Sequence, residues 1–457
     1  MAYRSPLLGI VRYLIKWTLL SLPLSLIVGS LVALFLWLLD WVTNYHMVHP
    51  RLLFLLPVTG VVIYFLYGLW GKNAEGGNNL IMEEIHEPGG GVPARMTPLV
   101  LITTLLTHFN GGSAGREGTA VQMGGSMAHL LGRWFRLSPL DMRTMLMAGI
   151  AAGFGAVFGT PVAGAVFALE VLAIGTIRYN ALLPCLIAAT LADIVTLSWG
   201  IHHIHYTVSA LPVLEHSLLP FLHTNIVLLC EVIAAGAAFG LVAYLFSELL
   251  HTIKNVSKSW IKPGWLIPVA GGIIIIGLRY TSGTADYLGL GVMGQYSTSV
   301  SIVNAFHTGG AGYWSWLWKL AFTAITLGMG FKGGEVTPLF FIGATLGNAI
   351  AMLLGAPPDL FAAMGFIAVF AGATNTPITC TIMGAELFGG SYIFYFAVAC
   401  FTAYYFSGNT GIYHAQRIGI SKTDGVALPN ETLSHLRERK VLRNRRIFSL
   451  LLTKWRK

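Results

Sequence analysis

The chain has 457 residues, of which 55% are hydrophobic and only 10% charged, with a mean hydropathy of +0.69. A soluble domain carries about 25% charged residues, so this composition excludes a soluble globular protein and points to a polytopic membrane protein. The net charge of +9 comes from basic residues that flank apolar segments, which is a positive-inside topology signal and not a nucleic-acid surface.

Apolar runs follow one another along the chain: Trp17 to Trp41, Leu52 to Trp70, Ala148 to Ile174, Leu183 to Trp199, Ile226 to Leu250, Leu266 to Ile276, Leu317 to Met329, Phe361 to Ala373 and Ile393 to Phe406. Some reach the roughly 20 residues that a spanning helix needs. Others are shorter, or are cut by Gly and Pro. This mixture is typical of transporters, where irregular backbone survives at membrane depth only if it is buried in protein or lines a polar path. Basic clusters at Arg4, Arg12 and Lys16, at Arg133, Arg136 and Arg143, at Lys254, Lys258 and Lys262, and after Lys422 predict cytoplasmic segments. The stretches 201–222 and 280–318 lack Lys and Arg and are expected to face outward, which puts both termini in the cytoplasm. The N-terminal apolar stretch is long and has no clear cleavage site, so a removable signal peptide is not expected. Cys185, Cys230, Cys380 and Cys400 lie in apolar runs without paired spacing and read as small buried residues.

The two halves repeat. GREGTAVQMGG is followed by AAGFGAVFGTPVAGAVFALEV (Ala151 to Val171), and GGEVTPLFFIGA is followed by AVFAGATNTPITCTIMGAELF (Ala368 to Phe388). Thr160-Pro161 matches Thr376-Pro377, and Glu170 matches Glu386, each 216 residues later. An internal duplication of this kind in a transporter often has inverted topology, with the site at the midplane between the halves. The expected divisions are a first transmembrane repeat over 1–215, a second over 216–430 with the boundary near His216, and a basic tail over 431–457 that reads as a membrane-surface helix.

Two acids, Glu117 and Glu335, sit between glycines inside apolar stretches. A carboxylate at membrane depth is a functional-site candidate, and glycines on both sides predict a broken backbone whose free N–H groups can face an anion. A titratable acid beside anion-receptive amides suggests a transporter of an anion and a proton. The competing local interpretations are a helix N-terminal acid at Glu117, an N-cap-like acid at Glu335, a turn at Asn78-Asn79 and an interfacial tyrosine at Tyr413. Glu170 and Glu386 are expected to fix helix ends or loops rather than carry protons. His202, His203 and His205 lie in an outer loop without a nearby acid or cysteine set, which argues against a metal site. His86-Glu87 lacks the second histidine of a metalloprotease motif, because position 90 is glycine.

Gly115-Arg116-Glu117-Gly118 with VQMGG, the second-half Gly-Gly-x-x-x-Pro, the repeated Thr-Pro elements and Ile412-Tyr413 resemble the CLC family of anion channels and proton-coupled anion antiporters, over nearly the whole chain to about Arg417. The resemblance implies an all-α polytopic membrane protein with a CLC-type inverted-repeat fold, broken helices meeting at a midplane anion site, a homodimer with one pathway per subunit, and residence in a bacterial inner membrane. Chloride-selective members carry Gly-Ser-Gly-Ile-Pro where this chain has Gly76-Gly77-Asn78-Asn79-Leu80. GGEVTP replaces the usual Gly-x-Phe-x-Pro, and Val171 stands where many chloride antiporters have an internal glutamate. These departures resemble the fluoride/proton antiporter branch. By that resemblance Glu117 is the gating and proton-coupling acid and Glu335 a second proton-carrying group toward the cytoplasm. Asn78, Val336, Thr337, Tyr413, Gly115 and Gly118 surround the anion. Arg116 is free to pair with a phospholipid or another acid. Fluoride, protons and membrane lipid are the expected partners, with no cofactor, metal or nucleic acid. The alternative is a chloride/proton antiporter or a chloride channel of the same family. An intramembrane hydrolase would need a nucleophile–base pair or a metal triad, and the sequence has neither pattern.

Overall fold

The computed structural model describes residues 6–204, 206–209, 226–422 and 425–439. In the first half, α1 (Pro6–Val48), α2 (Leu56–Trp70), α3 (Asn78–His86), α4 (Met96–Phe109), α5 (Glu117–Trp134), α6 (Pro139–Phe158) and α7 (Pro161–Glu170) precede a short strand, β1 (Ala173–Ile174), and α8 (Leu182–Ser198). The second half runs through α9 (Ile226–Trp260), α10 (Leu266–Ser282), α11 (Ser315–Gly328), α12 (Val336–Leu354), α13 (Pro358–Thr374), α14 (Pro377–Phe388) and α15 (Ile393–Phe406), and then β2 (Arg417–Ile420) and β3 (Ala427–Thr432). Among the described residues six helical stretches are long and apolar enough to cross a membrane, and shorter apolar helices lie between them. The chain is therefore a multi-pass membrane protein that mixes full and partial spans. The anticipated all-α membrane fold of full and broken helices is the one observed.

Two glycine contacts carry the duplication. Between α5 and α6, a methyl group on Gly124 would stand 2.1 Å from the Gly149 carbonyl oxygen, and one on Gly149 2.4 Å from that of Gly124. Between α12 and α13, the same relation joins Gly343 and Gly365 at 1.9 and 2.0 Å. Side chains are impossible there, so the two backbones touch directly. In lipid, where apolar burial gives helices little reason to associate, such close packing drives association. Gly149 and Gly365 are 216 residues apart, the period read from the sequence.

Glu170 and Glu386 also act as a matched pair. Each Thr-Pro element starts a helix, with proline in the first turn, where its missing N–H costs nothing. Glu170, at the end of α7, accepts hydrogen bonds from Ile378 N (3.0 Å), Thr379 N (2.8 Å) and Thr379 Oγ1 (2.7 Å) at the start of α14. Glu386, near the end of α14, accepts from Val162 N (3.0 Å) and Ala163 N (2.8 Å) at the start of α7. Each acid thus satisfies orphan N–H groups at the positive end of the other repeat's helix. Both serve helix ends, as the sequence suggested.

One small element falls outside the helical pattern. β1 pairs with β2 in parallel and β2 with β3 antiparallel. Strands this short leave no periodicity to detect. The start of the basic tail is helical, as expected. Residues up to 432 are strand, 433–439 are helical, Leu433 is buried, and Arg437 Nη2 meets Glu248 Oε2 of α9 at 3.0 Å. The start of the tail packs on the protein. The boundary near His216 and residues 440–457 lie outside the described residues.

Candidate functional site

The two glycine-bracketed segments meet. Gly115 N donates to Gly334 O (2.6 Å) and Gly334 N to Gly115 O (2.8 Å), forming an isolated antiparallel bridge between the repeats. Glu117 then opens α5 and Glu335 is the N-cap of α12, 218 residues later. The bridge sets the two helix N-termini side by side, so their unpaired N–H groups and dipoles converge. Only glycine fits at 115: a methyl would lie 2.8 Å from Glu117 Oε2, 2.9 Å from Gly334 O and 2.9 Å from Pro338 Cδ. The Gly115 amide is committed to the bridge. Gly115 therefore shapes the site, and its N–H is taken up by Gly334 O.

Glu117 is 1% exposed. Its carboxylate crosses to the other repeat, where Thr337 N donates to Oε2 at 3.0 Å and the Thr337 hydroxyl donates to Oε1. Arg116 N also donates to Oε2 (3.1 Å), and the Arg116 guanidinium lies 3.6 Å from Oε1. Charged acceptors make the stronger hydrogen bonds, so this cluster holds the carboxylate as it would hold a small anion. The contact between Glu117 and its neighbour Arg116 was not legible in the sequence, which leaves the guanidinium several possible partners.

Asn78 and Asn79 divide two tasks. Asn79 Oδ1 accepts from Ala415 N (3.0 Å) and so anchors the loop that carries Tyr413. Asn78 faces the bridge: a methyl on Gly118 would stand 3.1 Å from Gly334 Cα, 3.4 Å from Asn78 Nδ2 and 3.7 Å from Glu335 Oε2. Asn78 Oδ1 is buried and has no hydrogen-bond partner among the described residues. Gly77, with φ +54, makes the turn that delivers Asn78. Glu335 is half-buried, with Lys254, Lys332 and Glu117 as its charged neighbours. Tyr413 is 5% exposed and lies within electrostatic reach of both Glu335 and Glu117. Val336 is buried in the first turn of α12. The structure thus gathers Glu117, Thr337, Gly115, Gly118, Asn78, Glu335, Val336 and Tyr413 into one region.

Beside the Glu117 carboxylate lies a cavity of about 30 Å³, walled by Glu117, Thr337, Phe158, Phe340, Phe366 and His203 among others. Phe340 and Phe366 stack with centroids 3.8 Å apart, and Phe158 meets Phe340 at 5.3 Å. With 25 phenylalanines in the chain, no sequence signal distinguishes these three.

Comparison with known proteins agrees with this geometry. The profile of the voltage gated chloride channel family matches residues 59–408. A chloride/fluoride channel protein from Pseudomonas syringae pv. tomato is 48% identical over 422 residues, covering 91% of this chain and 89% of that protein. The crystal structure of a CLC-type fluoride/proton antiporter is 34% identical, with a TM-score of 0.81, covering 89% of this chain and 98% of that one. The H(+)/Cl(-) exchange transporter ClcA of Vibrio cholerae is 26% identical over 291 residues, covering 60% of this chain and 58% of that protein. With the fold, the glycine-bracketed acids and these matches in agreement, the chain belongs to the voltage gated chloride channel (CLC) family and is a membrane anion transporter.

Proposed function

We propose that the protein is a fluoride/proton antiporter that exports fluoride from the bacterial cytoplasm, driven by inward proton flow. The observation that carries this is the Glu117 carboxylate docked on the Thr337 amide and hydroxyl at the joined N-termini of α5 and α12. Ionised, it fills a place suited to an anion. Protonated, it loses its charge-assisted bonds, leaves, and admits the anion. Each cycle exchanges one occupant for the other, which couples proton to anion.

Fluoride is small and tightly hydrated, so its removal from water has to be offset by close, strong donors. Asn78, set against Gly118 and Glu335, supplies an amide in this position, with two N–H donors in place of one hydroxyl. Thr337 adds a hydroxyl, the Val336 and Thr337 amides open toward the ion, and Tyr413 faces them. Glu335 is the proton-carrying group on the cytoplasmic side. The protein works as a homodimer with both termini inside, in the inner membrane. The similarity to a fluoride/proton antiporter and to a chloride/fluoride channel protein supports fluoride as substrate.

Liposome efflux monitored with fluoride and chloride electrodes tests the assignment. Fluoride should leave much faster than chloride and should drive protons uphill. Brisk chloride release without fluoride preference would instead make the protein a chloride/proton antiporter or a chloride channel.

A further inference from the structure

Glu117 is buried, so a proton from the outer medium needs a carrier to reach it. His203 is placed to be that carrier. It follows α8 in a segment without Lys or Arg. Its ring lies over Gly159, the left-handed residue (φ +71) that ends α6, where a methyl would approach His203 Cδ2 to 2.4 Å. His203 Nε2 stands 3.3 Å from Asp193 Oδ1 of α8, and each side chain keeps only 14% of its surface exposed. Neither of these two atoms has a hydrogen-bond partner of good geometry among the described residues. His203 also lines the cavity of about 30 Å³ that Glu117 lines. That volume suits about one water molecule. The ring therefore keeps some exposed surface and also borders the gate's cavity.

Among the described residues, few other titratable or charged groups surround it. Arg116 and Glu117 share the cavity wall, and Tyr206 approaches from the outer segment. Glu386 of α14 lies within electrostatic reach of Asp193, and His202 is the chain neighbour.

We propose that His203, oriented by Asp193, is the outer proton donor to Glu117. The relay rests on the antiport function proposed above. The Asp193 side chain faces Nε2–H, which leaves Nδ1 to exchange. Nδ1 takes a proton from the outer medium. The same Nδ1 then releases a proton to a water in the cavity, and that water passes one of its protons to a Glu117 carboxylate oxygen. One proton enters, Glu117 becomes neutral, and neutral His203 is ready to be recharged. The carboxylate–histidine pair works by fixing which nitrogen is free.

The test uses full-length protein in liposomes, with fluoride and proton fluxes read together for wild type, His203→Ala, His203→Gln and Asp193→Asn. In His203→Ala both fluxes should fall together by about tenfold or more, as expected when a proton donor is removed. Imidazole in the outer solution should restore much of the loss relative to wild type with the same imidazole. Fluoride binding by calorimetry should be unchanged. His203→Gln keeps bulk against Gly159 and should be as slow, without rescue. Asp193→Asn should slow exchange less. Wild-type rates in either His203 variant overturn the relay. So does a slow His203→Ala that binds fluoride normally and ignores imidazole, because that pattern marks a packing role. A wild-type protein that moves no protons at all would instead refute antiport itself, and the two failures are distinguishable.

Discussion

Glu117→Gln is the sharpest perturbation of the proposed cycle, because it changes charge and titration while leaving size nearly constant. The carboxylate accepts from three donors: Thr337 N, the Thr337 hydroxyl and Arg116 N. A hydrogen bond to a charged group contributes about 1.5–3 kcal/mol and a neutral one about 0.5–1.5. Neutralising the acceptor therefore weakens each bond by roughly 1 kcal/mol and the set by about 3, on the order of a 100-fold shift away from the docked position. The glutamine amide also has N–H groups of its own, which oppose the Thr337 donors. Glutamine can neither bind nor release the coupled proton. A fluoride gradient imposed on liposomes should drive protons uphill with wild type and not at all with the variant. Any remaining fluoride flux should be indifferent to the proton gradient. Undiminished uphill proton movement by Glu117→Gln would remove Glu117 from the coupling cycle and with it the proposed mechanism.

Three further outcomes follow from the same geometry. Asn78→Ser should weaken fluoride binding about tenfold by isothermal titration, since one strong donor to a charged ligand is worth about 1.5 kcal/mol or more, and should narrow the preference over chloride; unchanged affinity would reduce Asn78 to a turn residue. Glu170→Ala leaves Ile378 N, Thr379 N and the Thr379 hydroxyl unsatisfied and should lower unfolding stability in detergent by about 3–5 kcal/mol. Glu386→Ala, which orphans only Val162 N and Ala163 N, should cost less, and the reverse order would argue against the cross-capping account. Gly343→Ala forces a methyl to 1.9 Å from Gly365 O, whereas Gly277→Ala on α10 meets nothing within 4 Å. Size-exclusion profiles should show the first protein aggregated or absent and the second unaltered, with equal behaviour contradicting the backbone contact.

The membrane class, the duplication and the two acids were legible because each is a local signal. Apolar runs, a 216-residue echo of Thr-Pro and Glu, and carboxylates set among glycines need no knowledge of distant contacts. The division of labour at Asn78-Asn79 was half legible. Residue type allowed either asparagine to shape the turn or face the ion, and only the position of Ala415 N assigned Asn79 to the loop. Gly115 illustrates the limit. Its lack of a side chain is required, as the motif suggested, but its amide is consumed by a partner 219 positions away. The three-stranded sheet, the phenylalanines at the cavity and the approach of His203 to Asp193 left no trace in one dimension.

By itself the sequence determined what kinds of group are present at membrane depth: titratable acids, helix starts and glycines that permit backbone contact. The tertiary structure alone decided which of them meet. Docking of Glu117 on Thr337 depends on the Gly115–Gly334 bridge and on two helix pairs whose glycine backbones touch. Those contacts are set by packing between repeats, where a shift of a few ångströms would turn the same carboxylate toward lipid or toward empty space.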